Sequence, residues 1–298
     1  MPGIEAGERD LALAVDIGGT KMAAGLVDGT GAIRWSAQVA TPTVEDPEEV
    51  WKALAGLLDA APQGAEVCGT GCGGPTRSAN ELVSPLNIGG WRDFPLRSRL
   101  EEHTGLPAFV DNDAKALALG EGWCGAAVGR PNYLSMVVST GVGAGLVLDG
   151  RLLDGRDANA GHIGHVVVEP DGRWCACGGQ GCLEAEASGT AIAAATGAPA
   201  RAAPPEVVAR TGRLVGQAVA SVANLLDLDL ATVAGSVALG FGRPFFAAAQ
   251  DELSRRARLP YSARARIVPS GLGASGPLVG AAAVGWRGVG RLASLASS

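Results

Sequence analysis

Residues 15–21 read Val15-Asp16-Ile17-Gly18-Gly19-Thr20-Lys21 and lead into Ala23-Ala24-Gly25-Leu26-Val27-Asp28-Gly29, and the predicted fold depends on this stretch. A second stretch repeats its pattern as Val138-Ser139-Thr140-Gly141-Val142-Gly143, followed by Ala144-Gly145-Leu146-Val147-Leu148-Asp149-Gly150. Each stretch predicts a strand, a Gly/Thr turn, a second strand and an Asp-Gly hairpin turn. The two together indicate an internal duplication.

The segments that follow each stretch alternate in the same way. In the first half, three strands precede a helix near 46–61, whose apolar residues recur at helical spacing. The rest of that half predicts a strand at 66–71, a helix at 96–104, a strand at 108–111 and a helix from 113 to about 123. The second half predicts strands at 133–139, 143–148 and 151–153, an insertion, a helix at 205–226, a strand at 231–234, a helix at 244–256, a strand at 264–268 and a helix at 277–289.

The order βββαβαβα, found twice, predicts an α/β protein with two related lobes, each a mixed sheet covered by helices. We expect an N-terminal lobe over 1–115 and a C-terminal lobe over 116–276 that carries the insertion. The last helix, 277–298, is expected to pack back on the first lobe. One long doubly wound sheet is the alternative.

Composition excludes several classes of protein. The 298 residues include 45 glycines, but these show no collagen-like period. The sequence also contains no coiled-coil heptad run and no apolar stretch long enough to span a membrane. The acidic N-terminus lacks a signal-peptide core, so a cytoplasmic protein that contacts no membrane is expected. A formal charge of −6 gives no electrostatic reason to expect nucleic acid as a partner.

The first glycine turn has the chemistry of a phosphate-binding loop. Gly18 and Gly19 let backbone N–H groups approach an anion, Thr20 adds a hydroxyl donor and Lys21 adds a positive charge. Asp16, at the strand end, is placed to hold Mg²⁺ directly or through water. The turn matches neither a Walker A loop nor a Rossmann glycine motif. A plain β-hairpin with a glycine turn is the alternative.

The second glycine turn offers the same backbone chemistry from the other lobe. Thr140, Gly141 and Gly143 supply N–H groups, and Thr140 also supplies a hydroxyl. Two such loops would hold a polyphosphate chain from both ends.

A cluster of cysteines predicts a metal site. His165, Cys175, Cys177 and Cys182 form H-x9-C-x-C-x4-C, with glycines that let the chain turn tightly. Three thiolates and one imidazole make a closed tetrahedral set that suits structural zinc. Buried free cysteines or a redox pair are the alternative. The three other cysteines, Cys68, Cys72 and Cys124, are expected in the core.

A pair of polar residues at a predicted strand end supplies an acid–base candidate. Asn112 and Asp113 follow Phe109-Val110-Asp111, where ligands bind in open α/β sheets. Asp113 would take the proton from a substrate hydroxyl while Asn112 holds the substrate. The alternative is that Asp113 only caps the following helix.

Together these residues resemble the ROK family (repressors, open reading frames, kinases) of the hexokinase/actin/Hsp70 superfamily, over nearly the whole chain. Asp16–Lys21 looks like the family's ATP-phosphate loop, and Asn112-Asp113 looks like its sugar-binding Asn and catalytic Asp. The stretch Gly161-His162-Ile163-Gly164-His165, continued by Cys175-Ala176-Cys177-Gly178-Gly179-Gln180-Gly181-Cys182-Leu183-Glu184, looks like the family signature. The resemblance implies two actin-like (ribonuclease H-like) lobes with an interlobe cleft.

The resemblance also implies roles for single residues. His165 would bind zinc and touch the sugar, Glu184 would accept sugar hydroxyl protons, and Gly74 and Asn87 would contact the hexose. Thr140, Gly141 and Gly235 would contact the nucleotide.

One position departs from the family's glucokinases. Those enzymes usually carry Glu three residues before the zinc-binding His, where this chain has His162. A carboxylate accepts two hydroxyl hydrogen bonds, whereas a neutral imidazole offers one donor and one acceptor. The form with His162 resembles bacterial N-acetylmannosamine kinases instead, as do Asn87-Ile88-Gly89-Gly90 and Phe94-Pro95-Leu96.

The resemblance therefore implies an ATP-dependent kinase, with Mg²⁺ and structural zinc, that phosphorylates the 6-hydroxyl of a hexose or N-acetylhexosamine, N-acetylmannosamine being favoured. A glucokinase or broad-specificity hexokinase and a non-catalytic sugar-sensing protein are the alternatives, and polyphosphate is an alternative donor. A family repressor would need an N-terminal helix-turn-helix, for which the fifteen residues before Asp16 are too short. A homodimer or higher homo-oligomer is expected from the family.

Overall fold

A computed structural model describes residues 10–77 and 80–295 of the chain. The chain divides into two compact units. The first unit consists of the described parts of 1–128, 154–160 and 272–298, and the second consists of 129–153 and 161–271. The ends of the predicted first lobe and of its last helix, residues 1–9 and 296–298, lie outside the described residues.

The strands and helices of the described residues are numbered here in chain order. The strands are β1 (Leu11–Ile17), β2 (Lys21–Asp28), β3 (Ile33–Ala40), β4 (Val67–Cys72), β5 (Thr76–Arg77), β6 (Leu82–Val83), β7 (Ala108–Asn112), β8 (Tyr133–Val138), β9 (Val142–Leu148), β10 (Arg151–Leu152), β11 (Leu230–Ala234) and β12 (Arg266–Pro269). The helices are α1 (Pro47–Asp59), α2 (Leu96–Thr104), α3 (Asp113–Cys124), α4 (Leu183–Ala187), α5 (Gly189–Thr196), α6 (Pro205–Leu226), α7 (Ser236–Phe241), α8 (Arg243–Arg256), α9 (Gly276–Gly288) and α10 (Leu292–Leu295).

The two units contain sheets with the same strand order. The first sheet runs β3-β2-β1-β4-β7, and the second runs β10-β9-β8-β11-β12. In each sheet three antiparallel strands are followed by two strands parallel to the first of them. The predicted duplication of βββαβαβα is therefore confirmed, and the alternative of one long doubly wound sheet is wrong.

Each sheet is covered by helices whose apolar faces the sequence already marks. Helix α1 begins after Asp46, whose side chain accepts a hydrogen bond from Glu48 N, and it buries Val50, Leu54, Leu57 and Leu58. Because its apolar stripe recurs at i, i+4 and i+7, the helix packs along one line against the first sheet. In the second unit, α6 buries a similar stripe that includes Val215 and Val219.

Glycines allow backbones to approach closely where helices pack on each other and on the first sheet. A Cβ built on Gly69 of β4 would lie 2.0 Å from Ala281 O of α9, and one on Gly280 would lie 2.6 Å from Ala116 O of α3. A Cβ built on Gly216 of α6 would lie 2.3 Å from Ala249 O of α8. Backbones at such short distances leave no room for a side chain.

The structure adds elements that the sequence did not predict. These are the β5–β6 hairpin and the helices α4, α5 and α7, each of eight residues or fewer. Segments this short show no full hydrophobic period, so tertiary contacts decide their conformation. Among the residues that the structure describes, no helix is long and apolar enough to cross a bilayer.

Candidate functional site

The carboxyl-terminal edge of the first sheet gathers the polar residues predicted in the first half. β1, β4 and β7 run parallel, with Asp16 opposite Gly71 and Gly71 opposite Asp111. The strands therefore end at the same level. The loop after β1 and the start of α3 after β7 consequently emerge from one edge, which is where open α/β sheets bind ligands.

The glycine loop at this edge is held in a tight turn. Gly18 N donates to Lys21 O at 3.0 Å. Thr41, just after β3, holds the loop from outside, because its Oγ1 donates to Gly18 O at 2.6 Å and its N donates to Thr20 O at 3.0 Å. Sequence reasoning missed Thr41, since a threonine after a strand carries no motif. Thr20 and Lys21 are exposed beyond the turn.

Asn87 lies directly against this loop. A Cβ built on Gly19 would lie 2.4 Å from Asn87 Cβ and 3.0 Å from Asn87 O. The loop that contains Asn87-Ile88-Gly89-Gly90 thus touches the first glycine loop, although the two are almost 70 residues apart in sequence. Only glycine permits this approach.

Asp16 and Asp113 influence each other electrostatically. Burial, with a smaller contribution from the nearby Asp113, raises the pKa of the Asp16 carboxyl to about 7, and Lys21 opposes both effects. Because burial removes water from the charged form of this carboxylate, a bound cation would stabilise that form. The environment therefore suits the predicted contact of Asp16 with Mg²⁺.

The start of α3 is capped by Asn112, and Asp113 accepts from the same backbone amide. Asn112 Oδ1 accepts from Ala114 N at 3.0 Å, and Asp113 is the first residue of the helix. Asp113 Oδ1 also accepts from Ala114 N, at 2.8 Å. With its oxygen engaged in the cap, Asn112 presents its Nδ2, which lies 3.6 Å from a Cβ built on Gly74. Both side chains therefore accept from the same amide at the start of the helix, and the Asp113 side chain is exposed.

The second unit forms its own glycine turn between β8 and β9. Ser139 N donates to Gly141 O at 2.9 Å, and Thr140 O accepts from the N and Oγ1 of Thr190. Gly143 lies one residue inside β9, paired with Val137, and not in the turn itself. The turn therefore consists of residues 139–141.

Two further residues belong to this turn. Gly235, at a φ of 98°, sits against the end of β8, where a Cβ would lie 2.3 Å from Val138 O. Glu184 Oε2 accepts from Val142 N at 2.9 Å. Glu184, expected at the sugar, thus uses one oxygen to hold the second glycine turn. Sequence reasoning did not indicate this contact, because 42 residues separate the two groups.

The turn that carries His162 and His165 depends on two glycines. Cβ atoms built on Gly161, at a φ of 102°, and on Gly164 would each lie 2.3 Å from a carbonyl oxygen of β9, of Ala144 and Val142 respectively. The chain can press this closely on β9 only with glycine at both positions. The two imidazole rings lie 6.1 Å apart between centroids and are inclined by 18°. His162 is exposed and His165 is half-buried.

The predicted metal ligands come together in space. The ligand atoms of His165, Cys175, Cys177 and Cys182 all lie within 4.8 Å of one another. Cys175 Sγ is 3.7 Å from His165 Nδ1, and Cys177 Sγ is 3.7 Å from Cys182 Sγ. A tetrahedral ion with Zn–S bonds of about 2.3 Å would separate two sulfurs by about 3.8 Å. The donor set and the spacing fit zinc, whereas a redox pair alone would not need the imidazole.

The metal cluster is preshaped by its own backbone. Cys175 N donates to Gly179 O at 2.8 Å, and Gly178 N donates to Cys175 O at 2.9 Å at a φ of 87°. Leu183 N donates to Val166 O, which ties the end of the cluster to the His165 turn and places Glu184 beside it. The other cysteines lie apart from the cluster: Cys68 and Cys72 are buried in β4, and Cys124 is half-buried at the end of α3.

A sequence model described as "ROK family" matches residues 12–286. The chain belongs to the ROK family. An N-acetylmannosamine kinase from Escherichia fergusonii is 38% identical over 246 residues, which cover 77% of this chain and 84% of that protein. The chain thus spans most of the length of this relative.

Solved structures of the family share the fold. A ROK hexokinase from Thermus thermophilus has 35% identity and a TM-score of 0.82, covering 94% of this chain and 99% of that one. A ROK glucokinase from Streptomyces griseus, solved with glucose and AMPPNP, has 31% identity and a TM-score of 0.80, covering 93% and 99%. These relatives confirm the predicted family, the actin-like α/β fold and the class of enzyme, a sugar phosphotransferase.

Proposed function

We propose that this ROK-family sugar kinase transfers the γ-phosphate of ATP to the 6-hydroxyl of N-acetylmannosamine. The observation that carries the choice of sugar is His162. It occupies the turn that Gly161 and Gly164 press against β9, in the place where the family's glucokinases usually have Glu. The 38% identity to an N-acetylmannosamine kinase supports the same choice.

His162 suits an N-acetylated sugar better than a carboxylate would. A carboxylate accepts hydrogen bonds from two hydroxyl groups, as an unmodified glucose offers. A neutral imidazole donates one hydrogen bond and accepts one, which matches an amide carbonyl beside a hydroxyl. Glucose remains the second candidate, because the glucokinase from Streptomyces griseus was solved with it.

Asp113 is proposed as the general base. Its exposed carboxylate stands at the first turn of α3, and the sugar's 6-hydroxyl would donate its proton to it. The oxygen then attacks the γ-phosphorus in line and ADP leaves. Asn112 would hold the sugar through Nδ2, since its Oδ1 is engaged in the helix cap.

The phosphate groups are proposed to meet the two glycine turns. Lys21 and the N–H group of Gly19 would offset charge on the transferred phosphoryl group, while the Gly18 N–H, which donates to Lys21 O, shapes the loop. The N–H groups of residues 140–141 would bind the remaining phosphates. Asp16 would hold the Mg²⁺ that accompanies ATP, which neutralises charge on the phosphate oxygens. Gly235, which packs against Val138 at the end of β8, would contact the nucleoside.

The cysteine cluster is proposed to hold a structural zinc. All four ligand positions are filled by the protein, so the ion would order the chain and not activate water. With His165 Nδ1 on the metal side, Nε2 carries the hydrogen and would donate to the sugar. The cluster thereby fixes both His165 and Glu184.

A phosphotransfer assay tests the proposal. Purified protein with Mg²⁺ and either ATP or polyphosphate is offered N-acetylmannosamine, glucose and mannose, and the 6-phosphate product is identified by NMR. We expect ATP and N-acetylmannosamine to have the highest kcat/KM. His162→Glu should shift the preference towards glucose, while Asp113→Asn should keep sugar binding and lose most turnover. A wild-type preference for glucose would refute the choice of sugar, and near-normal turnover by Asp113→Asn would refute the base.

A further inference from the structure

A group of four charged side chains, two of them buried and two partly exposed, lies immediately behind the start of α3. Lys115, 1% exposed, donates from Nζ to Asp111 Oδ1 at 2.9 Å, to Asp154 Oδ1 at 2.9 Å and to Ala158 O at 3.1 Å. Arg287 of α9 donates to Asp154 Oδ2 at 2.6 Å and lies 3.4 Å from Asp111 Oδ2. All three hydrogens of the Lys115 ammonium thus have acceptors.

Lys115 holds a short segment that belongs to a different unit from the residues on either side of it. Residues 154–160 belong to the first unit, although the residues on both sides, 129–153 and 161–271, belong to the second. Asp154 and Ala158 are held by Lys115, and Asn159 pairs with the backbone of Thr76 at 3.3–3.4 Å in both directions. The next residues along the chain are Gly161 and His162.

The same helix also holds the other places where the chain passes between the units. Glu121, fully buried on α3, accepts from Ala126 N at 2.7 Å and from Leu272 N at 3.3 Å. These residues lie at the passages between 128 and 129 and between 271 and 272. The chain segments at which the chain changes from one unit to the other are therefore bound by Lys115 or Glu121. Both residues lie on α3, the helix that begins with Asp113.

The charge group is a costly way to obtain stability alone. Removing an ammonium and a carboxylate from water costs several kcal/mol per ion, so an apolar residue of similar size often stabilises a core as well. Charge-assisted hydrogen bonds, in contrast, require a defined geometry, so this group favours one arrangement of the segments that it joins. Asp111 also accepts from Asn112 N at 2.8 Å, so the same carboxylate orients the residue beside Asp113.

We propose that Lys115 is a positioning residue for sugar recognition. It fixes segment 154–160 against the start of α3, and His162 follows the end of this segment by two residues. The proposal rests on the proposed function for its kinetic part. Its structural part, that Lys115 is what holds segment 154–160, does not depend on the reaction.

Two variants and a control test this role. Lys115→Met keeps the length of the side chain and removes the donor. Asp154→Asn acts from the other partner, which is half-exposed, and so remains informative if Lys115→Met does not fold. Asp157→Asn is the control, because Asp157 lies in the same segment and its exposed carboxylate forms an ion pair with the neighbouring, exposed Arg156.

Hydrogen exchange of ligand-free protein measures the anchoring. We expect the amides of 154–162 to exchange about tenfold faster in Lys115→Met and Asp154→Asn, which is the factor for one charge-assisted hydrogen bond. Exchange in β1 and β4 should stay as in wild type, and Asp157→Asn should match wild type throughout. Unchanged exchange of 154–162 in folded Lys115→Met and Asp154→Asn overturns the anchoring.

Steady-state kinetics measure the consequence for the sugar. We expect KM for the sugar to rise about tenfold in Lys115→Met and Asp154→Asn, while KM for ATP stays unchanged. General destabilisation would lower the melting temperature without this split, so equal changes in both KM values overturn the positioning role. If wild type phosphorylates no sugar, the proposed function fails, and the exchange result still decides the anchoring.

Discussion

Replacing Gly19 by alanine tests the geometry of the first glycine loop. The added Cβ would lie 2.4 Å from Asn87 Cβ, whereas non-bonded carbon atoms prefer a separation of about 3.5–4.0 Å. The nearest atoms of Asn87 are its Cβ and backbone, which cannot rotate away as a side-chain end would. The loop or its neighbour must therefore move by about 1 Å. Gly19 has no positive φ, so the effect is purely steric.

The size of the effect follows from that displacement. Overpacking of this kind costs about 1–3 kcal/mol of unfolding free energy. A shift of about 1 Å in a group that positions a substrate lowers the rate about 100-fold. Since the Gly18 and Lys21 backbones move together with the loop, we expect kcat/KM for ATP to fall about 100-fold in Gly19→Ala, and sugar affinity to fall as Asn87 is displaced.

The assay combines kinase kinetics with chemical denaturation. Gly56→Ala is the matched control, because Gly56 is an exposed residue of α1 with no atom within 4 Å of the added Cβ. It should keep full activity and gain about 0.5–1 kcal/mol from helix propensity. The reasoning is refuted if Gly19→Ala is as active as Gly56→Ala and equally stable, since the predicted contact with Asn87 would then not exist in solution.

Two further predictions concern the metal cluster and Asp16. We expect about one zinc per chain by elemental analysis; Cys177→Ser, at an exposed ligand, should lose the metal and melt at a lower temperature, whereas Cys124→Ser, outside the cluster, should keep it. Retention of zinc by Cys177→Ser would contradict the ligand set. In ligand-free protein the pKa of Asp16 is raised to about 7, so the folded state binds a proton that the unfolded state releases near pH 4. The stability contributed by Asp16 should therefore fall as pH rises from about 4 to 7 and then level off. Asp16→Asn should be more stable than wild type at pH 8 but not at pH 4. A difference in urea midpoints that does not change with pH would contradict the raised pKa of Asp16.

The main elements of the fold were readable from the sequence because each carries a full hydrophobic period. The predicted helices at 96–104 and 205–226 match α2 and α6, and Asp46 followed by Pro47 marks the start of α1. The prediction failed for α4, α5 and α7, since their few residues are held by neighbours and not by a pattern of their own. It also placed Gly143 in the turn, although pairing with Val137 draws it into β9.

The candidate site was readable where chemistry requires a motif. Asp16–Lys21, Asn112-Asp113 and the spacing of the cysteines were each visible as sequence, because a phosphate loop, a strand end and a metal knuckle use short contiguous segments. Thr41, the Glu184 contact with Val142 N and the cap role of Asn112 were not visible. Each depends on which backbone atom lies nearby.

Local sequence thus determined the family and the two repeated lobes, and it supplied the residues proposed to carry the chemistry. The duplication follows from periodicity, and the site residues follow from the few side chains able to bind phosphate, sugar or zinc. Tertiary structure alone decided how these pieces are held. Lys115 and Asp154 are 39 residues apart and Lys115 reads as one more helix residue, yet folding buries it against three acceptors. A contact between distant segments leaves no periodic trace in either of them, so only the packed chain reveals it.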